Sequence, residues 1–216
     1  MSVALNRALR GLGWLFIAVG VVVLLYLVYS LLYTNRATAD AQRSMGDEWQ
    51  LRLDEESAGL PGEGVDGKAA VPDAGSAVAA LQFRRPGSDT PIVRDDPLYV
   101  VQGVSLTDLQ RGPGHYPDTA LPGEKGNFAV AGHRTTYGAP FFNLDQLRKG
   151  DEVIVTARDG ERYTYRVQTR EIVAPSATWV IEPDPLKTGN KTLTLTTCNP
   201  RFSNAERLIV FAELVT

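Results

Sequence analysis

Cysteine occurs once in the 216 residues, at Cys198, and histidine twice, at His115 and His133. A single cysteine excludes an internal disulfide, and with only two histidines it cannot complete a zinc cage of the usual type. No metal and no cofactor is expected. Charge of one sign is also scarce: 22 Lys and Arg stand against 25 Asp and Glu, for a net charge of -3. No block of like charge exceeds a few residues, which removes the electrostatic footprint of a nucleic-acid partner. No internal repeat is visible. What is present, 44% hydrophobic and 8% aromatic residues, suits one ordinary globular domain with accessory segments.

The first accessory segment is Gly11 to Asn35, which carries no charge and is rich in Leu, Val, Ile, Phe and Tyr. As a helix it would extend about 37 Å, against roughly 30 Å of bilayer hydrocarbon. Arg7 and Arg10 precede it, Arg36 and Arg43 follow, and Trp14 and Tyr33 stand near its ends as interfacial anchors. A cleaved signal peptide is the competing reading, because Ala37-Thr38-Ala39 mimics a cleavage site, but the apolar run is longer than such peptides use. The expectation is an uncleaved single-pass anchor over residues 1–35. The short amino-terminal flank would be cytoplasmic and the remainder extracellular. Residues 36–76 turn polar, with Gly59-Leu60-Pro61-Gly62-Glu63-Gly64 ending any helix, and read as a stalk that becomes flexible towards Ser76.

From Ala77 to Thr216 short strand-like runs alternate with turn signals: Val78–Phe83, Leu98–Val101, Phe128–Ala131, Glu152–Ala157, Arg162–Val173, Thr192–Cys198 and Arg207–Val215. Asp159-Gly160 marks a hairpin between the fourth and fifth of them. Brief helices are expected near Ser105–Leu109 and Asn143–Leu147, each opened by a capping-type residue. This is the pattern of an all-β barrel or sandwich.

Thr192-Leu193-Thr194-Leu195-Thr196-Thr197-Cys198-Asn199-Pro200 is the stretch on which chemistry can be built. Its leucines alternate with threonines at a period of two, and Cys198 shares the threonine parity, so its thiol should face away from the leucines. A cysteine nucleophile needs a base or cation to raise its thiolate fraction. Both histidines lie where a cleft could form. His133 ends the strand-like Phe128–Gly132 run much as Cys198 ends its own, whereas His115 lies in the turn-rich Gly112-Pro113-Gly114-His115-Tyr116-Pro117, so His133 is the preferred partner. Arg207, opening the strand after the cysteine loop, can return to the same mouth and hold an oxyanion. A buried, inert thiol with structural histidines remains the competing reading of these residues alone.

Thr194-Leu195-Thr196-Thr197-Cys198 with Arg207 nine residues beyond, and Ala131-Gly132-His133 upstream, resembles the signature of the sortases. The blocks Gly112–Pro117, Ala131–Phe141 and Thr196–Ser203 are similar to class E sortases of actinobacteria. The resemblance covers roughly Ala77 to Thr216 and implies a closed eight-stranded β-barrel with short helices, tethered by an amino-terminal transmembrane helix. It implies a cysteine transpeptidase that cleaves a carboxy-terminal LAxTG- or LPxTG-type sorting signal between Thr and Gly. The resulting thioester is resolved by the amine of a peptidoglycan precursor, anchoring a secreted protein. By the same resemblance Cys198 is the nucleophile, His133 the acid and base, and Arg207 the oxyanion and backbone partner. Tyr116, Thr197, Val180 and Ile181 are the expected substrate-binding residues, with Tyr116 tied to an LAxTG preference. No metal is implied. The stretch from Leu81 to Pro97 departs from the family's usual opening, which leaves the first two strands the least defined. A membrane-tethered cysteine hydrolase and a non-enzymatic wall-binding barrel are the rival functions.

Overall fold

The computed structural model describes residues 3–57 and 73–215. Eight strands close into a barrel: β1 (Ala77–Arg84), β2 (Leu98–Gln102), β3 (Gly114–His115), β4 (Asn127–Ala131), β5 (Glu152–Ala157), β6 (Arg162–Val173), β7 (Thr192–Asn199) and β8 (Glu206–Leu214). Around the barrel they run β1-β2-β3-β4-β7-β8-β6-β5. The β2–β3 and β4–β7 pairs are parallel and the others antiparallel. All seven expected strands are present within a residue or two, including the two least defined ones. The eighth, β3, is only two residues long and lies in the stretch read as a loop.

Alternation decides which side chains fill the barrel. Leu193 and Leu195 of β7 join Phe128 and Val130 of β4 and Val210 and Ala212 of β8 in one interior cluster. On the outer face, Ile209 and Phe211 of β8 form a second cluster with Val180. That cluster is roofed by the β6–β7 connection, which Asn127 ties down by donating its amide N–H groups to the Val180 and Glu182 carbonyls at 3.2 and 3.0 Å. Of the two expected brief helices, α2 spans Leu106–Arg111 behind a reciprocal Ser105–Asp108 capping box. The other is a single 3-10 turn, Leu144–Gln146.

His115 is inside this core. It pairs with Val130 across β3–β4 and is 1% exposed; its ring packs at a tilt on Phe128, 5.1 Å between centroids, with Nδ1 2.7 Å from Gln102 Oε1. Burial disfavours the imidazolium and lowers its pKa below the ordinary value. His133, half-buried, is shifted the same way by the same cause. Each therefore contributes stability that is intact above the unfolded-state value of about 6.5 and is lost as pH falls through the folded value. Denaturant midpoints measured from pH 7 to 5 should decline, and decline less in His115→Gln. A flat profile in the wild type would contradict the assignment.

The largest difference from the sequence expectation lies at the amino terminus. One helix, α1, spans Val3–Ser57, so residues 36–57 of the expected stalk continue the apolar helix that precedes them and pack on the barrel. Thr38, Met45 and Trp49 are buried there. Gln42 donates to the Tyr99 and Arg111 carbonyls and accepts from the Tyr99 N–H, pairing with β2 as a strand residue would. Thr38 Oγ1 donates to the Gln110 carbonyl at 2.7 Å, and Trp49 packs on the Tyr99 ring at 6.0 Å. The flexible stalk expected over 58–72 lies outside the described residues. At residues 73–76 the chain is already fastened to the barrel, with Gly75 N–H donating to the Gln102 carbonyl and Gln102 N–H to that of Ser76.

Candidate functional site

The site is set by strand register. Cys198 is the second-last residue of β7 and stands directly opposite Arg207 of β8. In such an antiparallel pair both side chains leave the same face of the sheet, about 5 Å apart at their β-carbons. That face is the outer one, shared with Thr194, Thr196, Ile209 and Phe211, so the thiol is turned away from Leu193 and Leu195 as the alternation predicts.

On the other side of β7 the parallel partner β4 ends with Ala131 opposite Thr196. Gly132 N–H still donates to the Thr196 carbonyl at 3.0 Å, and Thr197 Oγ1 donates to the Gly132 carbonyl at 2.7 Å. Two residues beyond Ala131 and two beyond Thr196 are His133 and Cys198. The pairing thus places Cys198 and Arg207 side by side on β7 and β8, with His133 two residues beyond the end of the neighbouring β4. The backbone of His133 is fixed further by Phe141 N–H donating to its carbonyl at 3.1 Å, and its ring packs at a tilt against Tyr137, 4.9 Å between centroids.

Gly132 explains why no side chain precedes the histidine. A β-carbon there would stand 2.5 to 3.0 Å from atoms of the Phe141 ring, which is fully buried and cannot move aside. Gly132→Ala should lower stability by about 1–3 kcal/mol through overpacking. It should also shift His133, so that thermal midpoint and activity fall together. A variant that keeps both would contradict this packing.

Arg207 uses Nη1 for two carbonyls of its own loop, Asn204 at 3.0 Å and Glu206 at 2.9 Å. This orients the side chain and leaves Nε and Nη2 as donors. Cys198 is partly exposed.

The expected substrate-binding residues divide. Tyr116 sits at the edge of the outer face, its hydroxyl 3.3 Å from Thr196 Oγ1. The paired residues Ala129 and Thr194, and Ala131 and Thr196, of β4 and β7 are small and buried. Ile181 is partly buried on the opposite edge. Val180 is beneath it, packed on Ile209 and Phe211, and supports that edge. Thr197 faces the interior, is 3% exposed and clasps Gly132. It positions the His133 segment and does not line the groove.

An arginine that the sequence did not single out completes the frame. Arg134 is 4% exposed; its Nη1 donates to the Cys198 carbonyl at 3.3 Å and to Asn199 Oδ1 at 3.1 Å, and its Nη2 pairs with Asp145 at 3.2 Å. Asp145 also takes Arg201 at 2.9 Å, whose guanidinium lies over the Phe142 ring at 4.3 Å. Burial lowers the Arg134 pKa from its ordinary value, and the Asp145 charge opposes that shift. This carboxylate between two cations binds the loop after Cys198 to the segment after His133. Adjacency to His133 was the one available signal; burial and the Asp145 pairing are set by the fold.

Residues 92–215 match the family model described as the sortase domain. Sortase SrtE1 of Streptomyces coelicolor is 33% identical over 96% of this chain, and SrtE2 of the same organism 32% identical over 97%. The chain spans 57% of the length of the first and 83% of the second. The solved structure of sortase E from Streptomyces avermitilis is 40% identical, with a TM-score of 0.57 over 67% of this chain and 91% of that one.

Proposed function

Because the chain belongs to the sortase family, whose members are cysteine transpeptidases, we propose that it cuts a carboxy-terminal sorting signal of LAxTG or LPxTG type between Thr and Gly and joins the new Thr carboxyl to a cell-wall precursor amine. The observation that supports this reading is the β7–β8 register that sets Cys198 opposite Arg207, with His133 just past the end of the adjoining strand β4.

The steps follow from the chemistry of those groups. The Cys198 thiolate adds to the threonine carbonyl, and the negative charge on its oxygen is met by Arg207 N–H donors. Collapse breaks the C–N bond while His133, as imidazolium, gives its proton to the departing glycine amine. A thioester to Cys198 remains. Neutral His133 then takes the proton of the incoming amine, an amide forms, and the thiolate leaves. Burial of the His133 ring favours its neutral form, which serves the second half-reaction. Tyr116 and Ile181 face the bound peptide from opposite edges of the groove, with Val180 beneath. The apolar part of α1 crosses the membrane, its amino terminus cytoplasmic and the barrel outside.

The test incubates the protein with LAxTG and LPxTG peptides and a glycine- or diaminopimelate-type amine, with products resolved by mass. A ligated product with release of the glycine-containing leaving peptide is expected. Release with water as the sole acceptor would replace transpeptidation with hydrolysis. In Tyr116→Phe the bond to Thr196 is lost, and the ratio of LAxTG to LPxTG turnover should fall; an unchanged ratio would remove Tyr116 from specificity.

A further inference from the structure

Helix α1 is continuous from an unburied apolar stretch into a docked half. Its most apolar 18-residue window has a mean hydropathy of 2.7, with none of that window buried against the barrel. Asn35 closes the uncharged stretch, and its side-chain carbonyl accepts from Gly138 N–H at 3.0 Å. Farther along, Leu53 Cδ2 lies 3.3 Å from where a β-carbon on Gly160 would stand. Eighteen residues of helix, about 27 Å, separate these contacts.

The β ladder places the same two contacts at opposite ends of the barrel. Gly138 belongs to the segment that leaves β4 through His133, and Gly160 is in the β5–β6 turn. From that turn β6 runs from Arg162 to Val173, about 36 Å of strand. Val173 pairs with Arg207, and Arg207 with Cys198. The end of α1 where the apolar stretch stops is therefore the end of the barrel that carries the site.

The segment at this junction is tightly held and polar. Tyr137, Gly138 and Ala139 have φ of 50°, 71° and 45°, three successive residues in the left-handed region, which is costly for the two that are not glycine. Asn35 fixes the Gly138 N–H, and Arg94 Nη1 donates to the Gly138 carbonyl at 3.3 Å. Asn35, Arg36, Arg94 and Thr136 are exposed around it. Cations beside a membrane-spanning helix suit the phosphates of lipid headgroups.

We infer that the site end of the barrel, around residues 134–140 with Arg36 and Arg94, rests on the lipid headgroups of the bilayer that α1 crosses, and that the β5–β6 hairpin points away from it. The inference rests on the apolar part of α1 being the membrane span. The groove then receives peptides lying close to the bilayer surface, and docked α1 sets its height.

The test places the full chain, with Cys198→Ala, in nanodiscs whose phosphatidylcholine carries a nitroxide on its headgroup. A fluorophore is attached at Thr136→Cys or Asn204→Cys near the site, or at Asp159→Cys or Glu161→Cys on the hairpin. At least threefold stronger quenching at both site-end labels is expected; equal or reversed quenching overturns the orientation. Combining Met45→Ala with Trp49→Ala, which undocks α1, should narrow the difference, and an unchanged difference overturns the role of docking. A chain that does not co-purify with the discs removes the membrane span itself and the inference with it. None of these readouts depends on enzymatic turnover, so the proposed reaction is tested separately.

Discussion

Cys198→Ala is expected to abolish ligation, with turnover falling by at least about 10⁴-fold, as when the nucleophile of a comparable catalytic group is removed. No other thiol in the chain can substitute, since this is its only cysteine. Stability should change little, because the side chain is partly exposed at a strand end and its backbone stays in the β7–β8 ladder. Loss of activity with a preserved melting transition would therefore report chemistry. A mass shift equal to the acyl peptide should appear on the wild-type chain and be missing from Cys198→Ala. Ligation by the variant within tenfold of wild type would sink the covalent mechanism.

Arg207→Ala should be the next most damaging change, costing about 10²–10³-fold in turnover, or roughly 2.7–4 kcal/mol of barrier, the size measured for a single oxyanion donor. Arg207→Lys should recover part of this at most, because an ammonium on a flexible stem lacks the rigid planar fork that fixes the direction of the guanidinium N–H groups. A second readout separates oxyanion binding from thiol activation. Alkylation of Cys198 by iodoacetamide forms no tetrahedral oxyanion, so its rate should move by less than a few-fold in Arg207→Ala. If alkylation and ligation fall together by two orders of magnitude, Arg207 acts on the thiolate and the assigned role is wrong.

How legible these features were in the sequence depended on the range of the interactions that make them. Strand β7 announces itself because Leu193 and Leu195 alternate with threonines, and the same alternation assigns Cys198 to the outer face. Strand β3 does not, since two residues carry no period; Gly114 and His115 are extended because β2 and β4 pair with them from both sides. For the same reason His115 looked like a loop residue and proved to be core. The docked half of α1 hides behind chemistry rather than length. Its inward stripe is Thr38, Gln42, Met45 and Trp49, a spacing of four, three and four residues that fits one helix face. Half of it is polar and satisfied by carbonyls from β2 and α2, so a search for apolar periodicity passes over it. Arg134, Asp145 and Arg201 are far apart along the chain, and only the fold makes one carboxylate the counterion of both arginines. The trio of Cys198, His133 and Arg207 was picked out by strand-end position and family resemblance, and the β7–β8 register gives a physical reason for the proximity of Cys198 and Arg207.

The spacing of Cys198 and Arg207 is set by backbone hydrogen bonds between β7 and β8 and does not depend on the conformation of any loop. The edge formed by Val180 and Ile181, in contrast, sits on a connection pinned mainly by Asn127 and by packing on Ile209 and Phe211. If Ile181 faces the peptide as proposed, with Val180 beneath it, that edge and the reacting groups are held by separable parts of the molecule. Residues 174–191 are open to replacement or library design that retunes which peptide is accepted, while the reacting groups keep their mutual geometry.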